Sequence, residues 1–210
     1  MVAQKLDTVA RHLRTPGRPR DPAVETRILE VTLRLLAEQG YSRMSIDEVA
    51  AAAGASKPTL YRRWPTKADL ATAALRTIQI REPPVDTGST VGDLIGILQN
   101  FRRSLLRPNG MSLIGSVLSE EHHTPELLAL FRERIVAPRR AMLRPVFERA
   151  VARGEIREDT NIDAAVNLLI GAFYARYLAN SMVPAGYPAE LVKIVWEGVR
   201  RPDRGAHPAA

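Results

Sequence analysis

A short stretch after Gly54 carries the side chains of this chain that are best suited to contacting a polyanion. Its polar members are Ser56, Lys57, Thr59, Tyr61, Arg62 and Arg63. Hydroxyl groups can donate hydrogen bonds to phosphate oxygens, and Lys or Arg can also reach guanine acceptors in the major groove of DNA. The residue types therefore indicate nucleic-acid contact. A basic, solvated helix face in a helical bundle is the alternative.

The elements around this stretch follow the pattern of two short helices joined by a tight turn. Ser45 and Glu48 form a capping-box pattern that starts one helix, and Gly54 ends it, because glycine adopts a left-handed backbone at little cost. Ser56 can cap the next helix, and Pro58 is tolerated there because it lies in the first turn. The pattern predicts a helix-turn-helix, whose second helix fits the major groove.

Apolar spacing predicts which face of this second helix points outward. Leu60 and Trp64 are four residues apart, so they share one face, which we expect to pack against the preceding helices. This leaves a cationic set on the more exposed positions. Its members are Lys57, Thr59, Arg62 and Arg63.

Charge and composition restrict the class of protein. The chain has 30 Lys and Arg against 23 Asp and Glu, and residues 1–80 hold 13 of these cations against 8 of the anions, so most of the net charge of +7 lies in the N-terminal third. The absence of cysteine excludes disulfides, thiol catalysis and Cys-ligated zinc. We find neither a signal peptide nor an uncharged apolar run of ~18 residues. We therefore expect a cytoplasmic protein without a membrane partner.

Apolar residues elsewhere recur at helical steps, as at Val24, Ile28, Val31 and Leu35, and no segment shows sustained strand alternation. We predict an all-α fold of about nine helices, in which a three-helix DNA-binding domain with a helix-turn-helix precedes a helical bundle. The predicted divisions are a flexible basic arm (1–20), the DNA-binding domain (21–81), the helical domain (82–201) and a disordered tail (202–210).

The run SIDEVAAAAGASKPTLYRRWPTKADL, which follows EQGYSRM, resembles the DNA-binding domain of the TetR (tetracycline-repressor-like) family of bacterial transcriptional regulators. The resemblance covers about Asp21 to Leu70. The remaining chain is similar in helix order and in the short run RGEI at 153–156. Two features depart from the family pattern, namely Pro58 in place of a common glycine and the pair at 63–64, where an aromatic residue or histidine followed by phenylalanine is common.

The resemblance implies a role for each matching position. Phosphate contacts would come from Ser45, Ser56, Tyr61 and Lys67. Base contacts would come from Lys57, Thr59, Arg62 and Arg63, with apolar contact from Pro58. Arg18 and Arg20 in the basic arm could follow the DNA backbone or enter a minor groove, and a solubilising tail is the alternative.

The resemblance also implies a homodimer, in which the last two long helices pair with the same helices of a second copy. The expected interface residues are Leu168, Gly171, Ala172, Ala175, Leu178, Leu191, Ile194, Val195 and Val199. An internal core without a partner is the alternative for these residues.

A small-molecule cavity in the C-terminal helices is a further implication of the resemblance. Candidate lining residues are Leu98, Phe101, Met111, Ile114, Leu118, His122, Phe131, Phe173 and Tyr174. Each of them can instead be ordinary core. The apolar bias predicts an unidentified effector that is apolar or amphipathic.

Motifs for catalysis and for cofactors are absent from the sequence. There is no GxGxxG, P-loop, HExxH or GxSxG run. The acidic and histidine pairs at 120–123 would not share one helix face, so we expect no metal site there. We predict a non-enzymatic regulator of double-stranded DNA, a repressor released from a palindromic operator by its effector. Two alternatives remain: an effector-binding helical protein without specific DNA recognition, and an enzyme with its site in the helical pocket.

Overall fold

The computed structural model describes residues 22–78, 86–180 and 182–201. The first four helices are α1 (Pro22–Gln39), α2 (Ile46–Ala53), α3 (Lys57–Arg63) and α4 (Lys67–Thr77). The other six are α5 (Thr90–Leu105), α6 (Gly110–Leu118), α7 (Pro125–Phe131), α8 (Ala137–Ala152), α9 (Ile162–Asn180) and α10 (Tyr187–Val199). Within these ranges the chain forms no strand, which confirms the all-α prediction.

A π-helical turn, Arg132–Val136, joins α7 to α8 without a break in the helical path. Pro138 lies in the first turn of α8, so the helical path continues through this proline. Proline has no N–H to donate, and its ring crowds the preceding turn, so a locally wider turn before it is a physical accommodation. With α7, the π turn and α8 taken as one rod, the described chain has the nine helices that the sequence predicts.

Helix caps explain where the N-terminal helices begin. The Ser45 hydroxyl accepts a hydrogen bond from the Glu48 N–H at 3.1 Å, and Gly54 ends α2 with a φ of 62°. Thr66 and Asp69 form a complete capping box at the start of α4. The cap expected from Ser56 is not formed, because its hydroxyl lies 2.8 Å from the Thr59 hydroxyl instead. Pairing of two hydroxyls on one turn thus replaces the predicted cap of α3.

Two apolar cores organise the molecule. The first core lies among α1–α4 and extends into α6, α7 and the π turn, for example through Val117 and Leu127. The second lies among α5, α8, α9 and α10 and centres on Phe147 and Phe173. Because the first core includes C-terminal helices, a rearrangement of α6 and α7 would reach the helix-turn-helix through direct packing.

The outer side of α9 and α10 is uncovered in the single chain. Leu168, Leu178 and Ile194 expose 64%, 80% and 70% of their surfaces. By length and composition one helical segment of the described ranges, Ile162–Ala179, could also cross a membrane. The same segment packs against α5, α8 and α10 along its other side.

Candidate nucleic-acid interface

α3 is anchored to the first core by its apolar face. Leu60 and Trp64 are both buried in that core, which confirms their predicted inward orientation. An isolated helix of seven residues is marginal in water, so its own hydrogen bonds do not hold it. The burial of these two large side chains supplies most of its stability. The opposite face of α3 is therefore held outward on a fixed support.

Most of the side chains predicted to contact DNA lie on this outward face or beside it. Those classed as exposed are Ser45, Ser56, Lys57, Pro58, Tyr61 and Arg62, and Thr59 is partly buried. Hydroxyls, an aromatic ring and two cations thus occupy one surface, which we call the α3 surface and define by these seven residues. A surface of this composition can contact both phosphates and base edges.

Lys57 carries the positive charge at the start of the α3 surface. Its Nζ lies 2.7 Å from Asp47 Oδ1, and the hydrogen bond with Asp47 raises the pKa of Lys57. The ammonium is therefore fully charged at neutral pH, and Asp47 competes with any phosphate for it. Arg62 is not engaged in any ion pair among the described residues, so its guanidinium is the more available cation.

Arg63 does not join the α3 surface, contrary to its predicted exposure. Its side chain is only 17% exposed and turns toward α1, where Nη1 lies 3.3 Å from Glu25 Oε2. That distance makes an ion pair, although the geometry of a hydrogen bond is not met. The position follows Arg62 by about 100° around the helix, which brings it against α1. Arg63 braces α3 against the first helix in this structure.

Lys67 connects the start of α4 to the turn between α1 and α2. Its Nζ donates to the carbonyl oxygens of Tyr41 at 2.9 Å and Met44 at 3.2 Å, and it lies 4.2 Å from the Tyr41 ring centroid. Burial lowers the pKa of Lys67 and raises that of Tyr41 to about 12. The predicted phosphate contact of Lys67 stays a prediction. The observed contacts make it a positioning residue for the segment that ends at Ser45.

Sequence reasoning missed a second positioning residue, Arg27. Its Nε donates to the carbonyl oxygen of Ala53 at 2.7 Å, so α1 holds the C-terminal end of α2 just before Gly54. A cation near the last carbonyls of a helix is favourable. In the sequence, Arg27 comes directly before Ile28, which is buried on the apolar face of α1. Its position at the edge of that face is the one signal that could have predicted a contact with α2.

Polar contacts also connect the N-terminal helices α1–α4 to the C-terminal helices. Arg134, in the π turn, lies 2.8 Å from Asp69 Oδ1 and donates to the Thr72 hydroxyl at 3.1 Å. Burial alone would raise the pKa of Asp69, but hydrogen bonds from Thr66 and Arg134 and the charge of Arg134 lower it on balance. Because Asp69 also caps α4, Arg134 acts on the end of α4 that carries Lys67.

Glu120 supplies the second of these interdomain contacts. It is buried, accepts a hydrogen bond from the Ser42 hydroxyl and accepts another from the Thr124 hydroxyl at 3.1 Å. Its neighbours Glu121, His122 and His123 are exposed. No cluster of three or more metal-ligating side chains occurs within the described ranges. The buried carboxylate therefore serves the contact between domains.

The predicted cavity residues divide between the two cores. Leu98, Phe101, Met111, Phe173 and Tyr174 belong to the second core, whereas Phe131 belongs to the first and Ile114 contacts both. Leu118 is 53% exposed and His122 is exposed, so neither reaches the second core. Phe131 lies in the first core, on a helix that contacts α4, whereas Phe101 lies in the second core.

The predicted interface residues also differ in exposure. Exposed positions are Leu168, Gly171, Ala175, Leu178 and Ile194, and partly buried ones are Ala172, Val195 and Val199. Leu191 is buried in the second core and is unavailable to a partner in this structure. The remaining eight positions define what we call the α9–α10 face. Arg18 and Arg20 lie outside the described residues.

Two family profiles match the chain. The profile described as "Bacterial regulatory proteins, tetR family" matches residues 28–74, which include α2 and α3. The profile described as "Tetracyclin repressor-like, C-terminal domain" matches residues 84–195. Together they span the α3 surface and most of the second core.

Similar proteins support the same grouping. The uncharacterized HTH-type transcriptional regulator YdeS of Bacillus subtilis is 31% identical over 88% of this chain and 93% of its own length. A DNA-binding transcriptional repressor of Mycobacteroides abscessus is 36% identical over 64% of this chain and 71% of its own length. The crystal structure of SCO0332, a TetR family transcription regulator, is 28% identical with a TM-score of 0.63, covering 85% of this chain and 99% of that one.

Proposed function

The chain belongs to the TetR family of bacterial transcriptional regulators, and we propose that it is a repressor that binds a near-palindromic operator as a homodimer and leaves it when a small effector binds. Its family and relatives are those of regulators and not of enzymes. The name of the Mycobacteroides abscessus relative supports repression as the sign of control. Because its target is chromosomal DNA, we propose a cytoplasmic location.

The α3 surface carries the proposal of operator binding. Leu60 and Trp64 hold α3 from one side, and the exposed Arg62 lies on the other side, where it can reach the guanine acceptors of the major groove. We assign base contacts to Lys57, Thr59 and Arg62, with apolar contact from Pro58. Phosphate contacts are assigned to Ser45 and Ser56, because hydroxyls near helix starts approach the DNA backbone, and to Tyr61, whose exposed hydroxyl can donate to a phosphate.

The α9–α10 face supports the proposal of a homodimer. Its large apolar side chains lie on two adjacent helices and would face water in a single chain. A two-fold axis through this face would cover it with the same face of a second copy. The dimer would present two α3 surfaces to the two half-sites of one operator, so that both bind together.

Release requires the effector to favour a dimer in which the two α3 surfaces do not match the operator, because equal affinity for both states shifts nothing. We propose that the second core holds the effector. The contacts of Arg134 with Asp69 and of Glu120 with Ser42 would transmit the change to α4 and to the turn before α2.

The experiment compares DNA binding at one salt concentration. Fluorescence anisotropy with purified protein measures affinity for an operator obtained from its own upstream region and for random duplex DNA. We expect the operator to be preferred by ~10³-fold or more. Equal affinity for both duplexes would favour an effector-binding helical protein without specific DNA recognition.

A further inference from the structure

Arg139 of α8 lies over the ring of Phe101, which belongs to a group of aromatic rings in the second core. Its guanidinium carbon lies 4.6 Å from the centroid of the Phe101 ring. Phe101 contacts Phe173 and Tyr174 edge to face, with centroid distances of 5.0 and 6.0 Å, and Phe173 contacts Tyr187 at 5.5 Å. We call Phe101, Phe173, Tyr174 and Tyr187 the aromatic cluster. A cation over a ring face is attracted by the ring quadrupole.

Arg139 has no carboxylate partner within the described chain. Burial lowers its pKa, and Tyr174 is the one group that acts electrostatically against this lowering. The neighbouring cations on the same rod differ, since Arg134 pairs with Asp69 and Arg144 pairs with Asp163 at 2.5 Å. A partly buried cation without a counter-ion costs stability, and the contact with a ring offsets this cost only in part.

The other cations next to the aromatic cluster keep its surroundings positive. Arg176 lies 5.7 Å from the Tyr187 ring centroid and donates to the Met182 carbonyl oxygen at 3.2 Å. Arg102, next to Phe101, donates to the Val183 carbonyl oxygen at 2.7 Å. These two guanidiniums are bound to carbonyl oxygens, which are neutral. Neither guanidinium has a carboxylate partner among the contacts of the described residues, which favours an anion nearby.

We propose that Arg139 and the aromatic cluster form the anion subsite of the effector site, and that the effector is a ring-bearing carboxylate. The carboxylate would take both guanidinium N–H groups of Arg139 in a bidentate pair, while its ring packs on Phe101 or Tyr174. This inference rests on the proposed effector response and narrows it. It specifies an effector that is negatively charged at one end. The apolar residues of the second core by themselves would accept a neutral molecule equally well.

The test compares acids with their amides. Calorimetry measures the binding of benzoate, 1-naphthoate and 4-phenylbutanoate to the full-length protein, each against its carboxamide, which has the same shape without the charge. We expect at least one acid to bind 10-fold or more tightly than its amide. The absence of any preference for the acid in all three pairs would overturn the proposal, and this comparison needs no variant.

The variant Arg139→Met keeps an unbranched, flexible stem and removes the guanidinium with its charge. Arg140→Met is the matched control, since Arg140 is adjacent but bonds to Asn167 at 2.6 Å on the α9 side. We expect Arg139→Met to abolish the preference for the acid and Arg140→Met to retain it. Should Arg139→Met fail to fold, Arg139→Lys takes its place. We then expect the acid to bind at least 5-fold more weakly than it binds wild type, because lysine cannot form the bidentate pair. An acid preference that survives in Arg139→Met, or an acid affinity that is unchanged in Arg139→Lys, would overturn the proposal.

A further experiment with operator DNA separates the proposal of the anion subsite from the proposal of regulation by an effector. Operator affinity is measured with and without the acid that binds best. Release of the operator that depends on Arg139 supports both proposals. An acid that requires Arg139 for binding but leaves operator affinity unchanged keeps the subsite and removes its regulatory role. A carboxamide that releases the operator equally well from wild type and Arg139→Met keeps the regulator and removes the subsite.

Discussion

Two surfaces of this chain face water, and their chemistry is opposite. The α3 surface is polar and cationic, with Lys57 and Arg62 exposed on a buried apolar support. The α9–α10 face is apolar, with Leu168, Leu178 and Ile194 exposed on a helix pair. A cationic surface is well solvated and needs no permanent partner, whereas exposure of a contiguous apolar face to water is unfavourable. The two surfaces therefore indicate two partners, DNA for the first and a second copy for the other.

Breaking the apolar face should have the largest effect. In Leu168→Glu/Leu178→Glu, four carboxylates would meet across the two-fold interface, so we expect a folded monomer. Operator affinity should fall ~10²- to 10⁴-fold, because the two half-sites no longer bind together. Analytical ultracentrifugation measures the mass, and anisotropy measures the affinity.

Leu118→Glu is the matched control for this variant, because Leu118 is an exposed leucine on α6, away from the α9–α10 face. It should remain dimeric and bind the operator as wild type does. A double variant that stayed dimeric would show that the copies associate through another surface.

Arg62→Ala should have the next largest effect and sharpens the claim about the α3 surface. Loss of a bidentate contact to guanine costs about 1–3 kcal/mol, or roughly 5- to 150-fold in affinity for the preferred operator. Affinity for random DNA should change much less. Arg34→Ala is the control, since Arg34 lies on α1 and pairs with Glu38 at the surface. Equal losses on operator and random DNA would exclude Arg62 from base reading.

Tyr61→Phe should have a smaller and uniform effect. It removes one hydroxyl from the α3 surface, and a neutral hydrogen bond contributes about 0.5–1.5 kcal/mol. Operator and random DNA should lose affinity by the same factor, because phosphate contacts carry no sequence information. A change in the preferred base would move Tyr61 from the phosphate contacts to the base contacts.

Arg134→Ala should have the smallest effect on DNA binding and tests the link between the two surfaces. Removing its contacts with Asp69 and Thr72 should change operator affinity by less than about 1 kcal/mol, or roughly fivefold, because Arg134 lies in the π turn and not on the α3 surface. The effector concentration needed for release should change more. Arg132→Ala is the control, because Arg132 is exposed and its Nη2 lies 4.0 Å from Glu121. Identical release curves for both variants and wild type would remove Arg134 from the coupling path.

The sequence predicted the α3 surface better than the α9–α10 face, for a physical reason. Cationic residues on a short helix that also carries Leu60 and Trp64 leave few alternatives, and the inward packing of those two is confirmed. Arg63 was wrongly expected on the outward face, because spacing on a seven-residue helix does not resolve a position that borders α1. Apolar residues are ambiguous, since a core and an interface use the same types, and Leu191 proved to be core.

The contacts between domains could not be predicted from the sequence. Arg134 meets Asp69 across 65 residues of chain, and Glu120 meets Ser42 across 78. No local pattern encodes such pairs, because they depend on how α6, α7 and the π turn pack on α1 and α4.

The central claim is that two copies joined at the α9–α10 face present their α3 surfaces to one duplex. Selection of bound fragments from random DNA with the purified protein tests it most directly. We expect the enriched sequences to contain an inverted repeat, with half-site centres about one helical turn or a multiple of it apart. The double variant at Leu168 and Leu178 should enrich no such pair. Enrichment of a single unrepeated site by wild type, or of no sequence at all, would contradict the account.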